Sequence, residues 1–432
     1  MAVIRRGARG PRAAGLVVLA ATTLVATGCW PQQGGTSENQ NADLIETALT
    51  PATVGGLTRH WTAPGVLDAV VGNQILGADA SGPDHVGPGA FSRLRSLNTA
   101  TGAQQWQQPV TNDAFVMVAT RGGATVQGDR VMVGIYGALI SGSLTVCGDS
   151  TFSLPLNGQG QPINASLFGL FDPNVPFGPN LAVENTFFTG STNAPQDCAF
   201  GPPMLQVWEP SSFGAAWSAP GGGRPVVVDD QLLVASGSTV RSYVASGCGA
   251  TTCDPVWSAD LGVTVADMAA DAGDRLYVLT EAGAGGREVL AVDRGDGSVT
   301  WRTALPGSAD GPASMAVEGG RLHVAAGTTL STFAGAGCGA TTCDPDWTAA
   351  LTAPFAGNLA TGGGVVYAAD AAGAVGAWDA AGCSAATCAP LVTLAVAGAP
   401  TRLVQASASL FVETDDPTST LQTVNAFALG AP

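Results

Sequence analysis

Cysteine is the residue type with the most regular spacing in this chain. Six of the nine cysteines form three close pairs that share one spacing, namely Cys248 with Cys253, Cys338 with Cys343, and Cys383 with Cys388. The others are Cys147, Cys198 and, near the N-terminus, Cys29. In an exported chain the eight cysteines other than Cys29 favour four disulfides. Zinc is the alternative use of close pairs, but two pairs would have to converge on one ion.

The N-terminus predicts export. Arginines are followed by an apolar stretch over residues 13–26, which at roughly 14 residues is shorter than the roughly 20 that span a bilayer. The small residues directly before Cys29 resemble the lipobox of bacterial lipoproteins, in which the cysteine is acylated and becomes the mature N-terminus. We expect a signal peptide over residues 1–28, lipidation at Cys29, a flexible tether over 29–49 and an extracytoplasmic, membrane-anchored protein. Secretion with an incidental cysteine is the alternative.

The composition excludes several function classes. The sequence contains no lysine, so a lysine Schiff base and the lysine of a P-loop are absent. The net charge of −16 repels phosphate backbones, which excludes nucleic acid as an expected partner. The three histidines are too few and too scattered for a histidine-rich metal site. We expect a monomer that contacts the membrane only through its lipid.

A repeat of about 45 residues organises the rest of the chain. The segment CGATTCDP that begins at Cys248 recurs from Cys338, and the third cysteine pair follows half that distance later. Tryptophans keep nearly the same interval, namely Trp61, Trp106, Trp217, Trp257, Trp301 and Trp347. The longer gap between Trp106 and Trp217 indicates one unmarked repeat and an insertion.

Each repeat consists of short alternating segments separated by Gly, Asp and Asn turns, which indicates antiparallel strands. Four strands in about 45 residues are typical of a propeller blade. We therefore predict an all-β fold with a single β-propeller over residues 50–432. The anchor positions predict eight four-stranded blades, with seven as the alternative. Because the first and last repeats are partial, N- and C-terminal strands are expected to share a blade and close the ring.

Two segments carry a family resemblance: residues 97–106 (LNTATGAQQW) and residues 292–301 (VDRGDGSVTW). They resemble the PQQ-like (pyrrolo-quinoline quinone) repeat, the blade of quinoprotein dehydrogenases and of outer-membrane assembly lipoproteins of the BamB type. The opening residues 46–61 and the cysteine inserts are similar to exported PQQ-like repeat proteins of high-GC actinobacteria. The resemblance implies that a turn glycine precedes a tryptophan that docks between neighbouring blades. A large indole would fill the wedge between twisted sheets, so we assign the six tryptophans to blade docking.

Catalytic groups are scarce. A PQQ enzyme needs a flat pocket for the quinone, a calcium ion held by oxygen ligands and a carboxylate base. In the alcohol dehydrogenase branch the resemblance implies two adjacent cysteines, and this sequence has no such pair. Asp293 and Asp296 fit an ordinary blade turn better than a calcium loop, and His323 reads as a strand side chain. We predict no catalytic residue, no metal and no cofactor, with PQQ and calcium as the alternative.

The insertion is the least regular feature. It places Phe168, Phe171 and Phe177 in a proline-broken segment, which would form an apolar contact patch if exposed. The alternative is that this segment folds over its own blades. The favoured function is a non-enzymatic envelope lipoprotein that binds a protein, peptide or glycan at the outer face of the membrane. The alternative is a quinone- or metal-dependent oxidoreductase.

Overall fold

The structure is a computed structural model, and it describes residues 35–36, 38–79, 93–110, 117–127, 129–141, 144–159, 163–167, 181–183, 186–190, 204–209, 214–220, 225–283, 285–305, 311–415 and 422–430. These residues form 33 strands and one 3-10 helix at Val54–Gly56. Within the same ranges no helix is long and apolar enough to cross a membrane.

The strands are numbered in chain order, beginning with β1 (Ala42–Asp43) and β2 (Leu57–Pro64), and over the described residues they belong to eight sheets. Sheet 1 contains β3 (Ala69–Val71), β4 (Gln74–Asp79), β5 (Arg93–Asn98) and β6 (Gln104–Pro109); sheet 2 contains β7 (Met117–Gln127), β8 (Arg130–Ser141), β9 (Leu144–Pro155) and β10 (Ile163–Leu167); sheet 3 contains β11 (Leu181–Val183), β12 (Thr186–Gly190), β13 (Met204–Glu209) and β14 (Gly214–Pro220); and sheet 4 contains β15 (Pro225–Val228), β16 (Gln231–Ser236), β17 (Thr239–Val244) and β18 (Trp257–Asp260).

The remaining sheets follow the same plan. Sheet 5 contains β19 (Val265–Ala270), β20 (Arg275–Thr280), β21 (Arg287–Asp293) and β22 (Val299–Leu305); sheet 6 contains β23 (Ala313–Glu318), β24 (Arg321–Ala326), β25 (Thr329–Ala334) and β26 (Trp347–Ala350); sheet 7 contains β27 (Phe355–Gly362), β28 (Val365–Asp370), β29 (Ala374–Asp379) and β30 (Val392–Ala395), with β1 added beside β27; and sheet 8 contains β31 (Ala399–Ala406), β32 (Ser409–Asp415), β33 (Thr423–Leu429) and β2.

The sheets are arranged in a ring. Within each sheet the four strands pair in antiparallel order. The first strand of each sheet contacts the first strand of the next, from β3 through to β31. First strands therefore line the axis and fourth strands form the outer edges. The predicted all-β propeller is confirmed, while the blade count of the whole chain, eight or seven, stays a prediction.

Both ends of the chain contribute to sheet 8. The N-terminal strand β2 pairs antiparallel with the C-terminal strand β33, with Leu57 opposite Leu429 and Pro64 opposite Thr423. The prediction that N- and C-terminal strands share a blade is confirmed. This ladder joins the two ends of the chain, so the ring has no open sheet edge where it closes.

Apolar side chains pack between neighbouring sheets. Between sheets 5 and 6, the Trp301 ring lies 6.5 Å from the ring of Tyr277 and 5.9 Å from that of Phe333, with both pairs tilted. Tilted aromatic pairs at such distances add about 0.5–1.5 kcal/mol each beyond the burial of their area. Such layers hold the sheets at fixed angles and make a rigid support for the turns at their ends.

Residues 38–49 differ from the flexible tether expected over residues 29–49. Strand β1 runs parallel to β27, with Ala42 opposite Thr361, and the backbone N–H of Thr361 donates to Asn41. The polar composition of this segment predicted exposure to solvent, but its polar groups form hydrogen bonds with the ring instead. Because their partners lie far away in the sequence, no local pattern reveals them. Residues 29–34 lie outside the described residues.

Candidate functional site

The six tryptophans assigned to docking occupy equivalent positions. Each lies in or at the start of an outer strand and packs on a glycine in the turn between the third and fourth strands of the next sheet. The pairs are Trp61 with Gly102, Trp106 with Gly158, Trp217 with Gly247, Trp257 with Gly297, Trp301 with Gly337, and Trp347 with Gly382. A Cβ on any of these glycines would lie within 2.8 Å of the indole, and all six have positive φ. Only glycine suits both conditions.

Three disulfides form among the described residues: Cys248–Cys253, Cys338–Cys343 and Cys383–Cys388. Each closes a short loop, called a cysteine loop below, between the third and fourth strands of sheets 4, 6 and 7. All three loops lie at the same end of the ring, because third and fourth strands are always joined there. Cys147 and Cys198, expected to form the fourth bond, fall outside the described side chains.

Each cysteine loop also binds the outer strand of the preceding sheet. The backbone N–H of Ser218 donates to Thr251 at 2.9 Å, and the N–H of Cys253 donates back to Ser218 at 3.0 Å. Thr348 makes the same exchange with Ala386 and Cys388, at 2.9 and 2.8 Å. In sheet 5, the N–H of Arg302 donates to Thr341, and the Thr303 hydroxyl donates to Cys343. The loops therefore extend sheets 3, 5 and 6 by a short additional segment.

The cysteine loops also determine how deeply the tryptophans are buried. Trp217, Trp301 and Trp347, which lie under the loops, are 4%, 3% and 2% exposed. Trp61, Trp106 and Trp257 have no such loop and are only partly buried. The indole N–H of each partly buried tryptophan donates to a carbonyl of the neighbouring turn at 2.9–3.0 Å.

The N-terminal residues 38–43 lie across the inner strands of sheets 5, 6 and 7 at the end of the ring where the cysteine loops lie. The Gln40 side-chain amide donates to Ala270 at 2.9 Å, and that of Asn41 donates to Met315 at 2.6 Å. Asn39, Gln40 and Asn41 are all at most 6% exposed. Inner backbone carbonyls of sheets 5 and 6, and an inner backbone N–H of sheet 7, are thus bound by the chain itself.

A buried group of carboxylates follows. Asp43 is 1% exposed, and its Oδ1 accepts the backbone N–H of Ile45 while its Oδ2 has no hydrogen-bond partner. Burial raises the pKa of Asp43 to about 6; the Ile45 hydrogen bond opposes this, and the charges of Glu46 and Glu318 reinforce it. Burial, with the same two glutamates, also raises the pKa of Tyr367. The carboxylates of Asp43 and Glu46 accept backbone N–H groups of residues 45–49 and so shape the turn that follows β1.

A second buried polar network closes the ring between sheets 8 and 1. Arg402 donates to the Asp68 carboxylate at 2.5 Å and to the Leu67 carbonyl at 2.9 Å. The Glu413 carboxylate accepts the backbone N–H of Leu67 at 2.6 Å. Burial opposes the charge of Arg402, but Asp68 and Glu413 outweigh it, so the pKa of Arg402 is raised. Every carboxylate oxygen here has a partner, with Thr401 donating to the other Glu413 oxygen, which indicates a structural role.

A small cavity of about 190 Å³ lies beside the ring closure. Its walls include His60 and Trp61 from β2, Thr99 and Ala100 from a turn of sheet 1, and Ser407 from a turn of sheet 8. Pockets for small-molecule ligands and cofactors usually measure about 300–1,000 Å³. The cavity is therefore small for a cofactor of quinone size.

The histidine and aspartates considered in the sequence analysis do not form a common site. His323 is fully buried and its Nδ1 lies 2.8 Å from the Thr332 hydroxyl, while burial lowers its pKa to about 3. Asp293 and Asp296 each accept a backbone N–H two residues onward, as turn residues do. Cys29, Phe168, Phe171 and Phe177 lie outside the described residues, as does His85.

Comparisons with known proteins agree with this geometry. The family model described as outer membrane protein assembly factor BamB matches residues 241–413. BamB from Moraxella catarrhalis superposes with a TM-score of 0.56 at 14% identity, covering 87% of this chain and 98% of that one. This chain is a β-propeller that carries the repeat of that family model over residues 241–413.

Two further solved structures resemble this β-propeller. Quinohemoprotein alcohol dehydrogenase from Comamonas testosteroni has a TM-score of 0.63 at 12% identity, covering 94% of this chain and 81% of that one. The computationally designed Ika8 protein has a TM-score of 0.58 at 12% identity, covering 86% and 98%. A search of curated proteins finds no match. At such identities the likeness concerns the fold.

The described residues of this β-propeller can be compared with what a quinone–calcium site needs. Among the described residues, no group of three or more His, Cys, Asp or Glu side chains is arranged to hold a metal ion. Inner carbonyls of sheets 5 and 6 accept hydrogen bonds from Gln40 and Asn41, and the Asp68 and Glu413 carboxylates are bound within the ring closure. These described residues do not fit a bound quinone with its calcium ion.

Two features of this propeller were missed from sequence. The buried N-terminal residues 38–43 read as polar tether, and their asparagines with positive φ are too few to be a signal. The Arg402–Asp68 pair joins residues 334 positions apart, which no local pattern predicts. The difference between sheets that carry a cysteine loop and sheets that do not was visible in the repeat itself.

Proposed function

We propose that this chain is a non-enzymatic cell-envelope lipoprotein whose propeller binds a protein, peptide or glycan partner at the outer face of the membrane. The observation that carries the proposal is that residues 38–43 bind the inner strands of three of the eight sheets at one end of the ring. A segment held in this way occupies the position that a substrate entering from that end would need. The partner would then bind at the outer surface and the turns of the ring.

The likeness to an assembly factor supports a scaffold that positions other proteins. Rigid turns support such a role, because a preorganised surface loses little entropy on binding. The likeness to a quinohemoprotein dehydrogenase supports the alternative, an oxidoreductase. The two functions differ in whether the chain takes up a quinone.

The test uses the full mature chain. Titration with PQQ and calcium, followed by absorbance and by alcohol oxidation with a dye acceptor, should give neither a stoichiometric quinone spectrum nor turnover. A spectrum at one quinone per chain that survives gel filtration would overturn the proposal. In parallel, immobilised chain should retain a partner from envelope extract, and a chain lacking residues 160–180 should retain less if the phenylalanine-rich insertion is a contact.

The lipid anchor is tested separately. Radiolabelled palmitate supplied to the expressing cells should enter the wild-type chain and not Cys29→Ala. Ser37→Ala is the matched control and should label normally. Equal labelling of Cys29→Ala and wild type would refute the lipid anchor but would not test the binding function.

A further inference from the structure

The outer strand of sheet 4 lacks the cysteine loop that covers its counterparts in sheets 3, 5 and 6. In sheets 3 and 6, the residue after the docking tryptophan exchanges two backbone hydrogen bonds with a cysteine loop. Ser258, the residue after Trp257, is the equivalent position in β18. The third and fourth strands of sheet 5 are joined by a short turn over residues 294–298, so no cysteine loop reaches Ser258.

The backbone groups of Ser258 face away from sheet 4. Trp257 lies opposite Ser242 and Ser258 opposite Arg241, which matches the register of Trp217 and Ser218 in sheet 3. Since the N–H and C=O of Ser218 point outward to a cysteine loop, those of Ser258 and of Asp260, two residues on, point outward too. No other described segment pairs with Ser258. We call these outward groups of Ser258 and Asp260 the open edge.

The surface around the open edge is apolar at one end and acidic at the other. Val256, directly before β18, is 66% exposed, the highest value among the large apolar side chains of the described residues. In sheet 5, Val299 is 38% exposed and lies two residues beyond the Gly297 that packs on Trp257. Hydrogen bonds from Gly262 and Ser238 lower the pKa of Asp260, so this carboxylate is charged at neutral pH.

We propose that the open edge binds an extended segment of a partner protein by strand addition. The partner segment lies parallel to β18, because the cysteine loops meet Ser218 and Thr348 in parallel bridges through Thr252 and Thr387. Its central residues are small or β-branched, as in those loops, and arginine or lysine follows where it approaches Asp260. The proposal rests on the binding function and assigns it a location and a kind of partner.

The outer strands β2 and β6 are less suited to strand addition. Strand β2 carries exposed Arg59 and His60 and ends in Pro64, and β6 ends in Pro109. Charged residues and prolines on an edge strand oppose pairing with another chain. Strand β18 has no proline and no basic residue.

A second copy of this chain is a poor occupant of the open edge. Pairing β18 with itself would bring the Asp260 carboxylates of two copies to one interface. Like charges opposite each other on paired strands are destabilising. A basic partner segment is instead attracted by the same carboxylates.

The probe is the peptide acetyl-Arg-Val-Thr-Thr-Val-Arg-amide, titrated into the full mature chain by calorimetry. We expect a Kd below about 1 mM, a blue shift of tryptophan emission as Trp257 becomes covered, and slower amide exchange at Ser258 and Asp260. The control peptide has Pro-Pro in place of Thr-Thr and cannot donate to the strand. It should bind at least about tenfold more weakly, since the loss of hydrogen bonds is worth that much.

Two pairs of variants locate the site. Ser258→Pro removes the outward N–H and should weaken the probe at least about tenfold, while Ser258→Ala keeps the N–H and should bind normally. Val256→Asp should weaken binding, and Val244→Asp, at an exposed valine of the same sheet but off the open edge, should not. If Ser258→Pro does not fold, the comparison of Val256→Asp with Val244→Asp tests the open edge on its own.

Several results would overturn the proposal. These are no binding of the probe, equal binding of the Thr-Thr and Pro-Pro peptides, or equal effects of the two aspartate variants. Concentration-dependent dimers that Ser258→Pro abolishes would assign the open edge to a second copy and would also overturn it. If the probe fails while Ser258→Pro and wild type retain the same envelope partner, the binding function stands and only the open edge is refuted.

Discussion

Two glycines of one cysteine loop allow the tryptophan–glycine contact to be measured. Gly337 and Gly339 flank Cys338 and have almost the same backbone conformation, with φ of +82° and +80°. A Cβ on Gly337 would lie 2.7 Å from Cδ1 of Trp301, whereas a Cβ on Gly339 meets nothing within 4 Å. The two Gly→Ala variants therefore share the conformational cost and differ in the contact.

The expected magnitudes follow from these two terms. A left-handed conformation costs an L-residue roughly 1–2 kcal/mol, which is the whole expected loss for Gly339→Ala. Gly337→Ala also overpacks the interface with Trp301, which adds about 1–3 kcal/mol. Gly337→Ala should therefore lose the larger share of the free energy of unfolding, by about 1–3 kcal/mol.

Guanidinium unfolding followed by tryptophan fluorescence and circular dichroism measures both variants under the same conditions. A Trp301→Phe background should reduce the difference between them, because the smaller ring leaves space for the new methyl group. Equal losses for Gly337→Ala and Gly339→Ala would refute the view that the glycine is required by the indole and would leave only the φ requirement.

Three further predictions concern the disulfides, the ring closure and the buried histidine. Replacing Cys338 and Cys343 by serine should cost about 2 kcal/mol of unfolding free energy and shift the emission of the tryptophan beneath the loop to the red; an unchanged spectrum would contradict the covering role. Arg402→Ala should cost about 3–5 kcal/mol because it leaves the Asp68 carboxylate buried without its partner, and Asp68→Asn in the same chain should recover part of that loss in chemical unfolding. Burial lowers the pKa of His323 to about 3, so below about pH 6.5 the unfolded chain binds a proton that the folded chain does not, and the free energy of unfolding decreases as the pH is lowered. His323→Gln should make this decrease smaller. An unchanged pH profile of the unfolding midpoint would show that the histidine titrates normally.

The parts of this fold that could be predicted from sequence are those that repeat. An indole that recurs every forty-odd residues requires the same wedge each time, so the spacing alone assigns Trp257 and Trp347 to blade docking. The partial first and last repeats likewise predicted that β2 and β33 would pair. In each case the physical requirement is local or recurs at a fixed interval.

The parts that could not be predicted depend on single long-range contacts. Asn41 lies in a polar segment that reads as a tether, and only the carbonyl of Met315, 274 residues away, explains its burial. Asp68 and Arg402 each look like ordinary loop or strand residues until the ring brings them together. The open edge needs a comparison between sheets, since Ser258 differs from Ser218 only in what lies beside it.

The N-terminal residues bind the ring at two separate places. Strand β2 completes sheet 8, and residues 38–43 cross sheets 5, 6 and 7 on their way to it. A load applied to the chain on the N-terminal side of residue 38 would therefore reach the inner strands of three sheets through side-chain and backbone hydrogen bonds before it reached the outer ladder of sheet 8. Such an order protects the ladder that closes the ring, because the buried amides of Gln40 and Asn41 must part first.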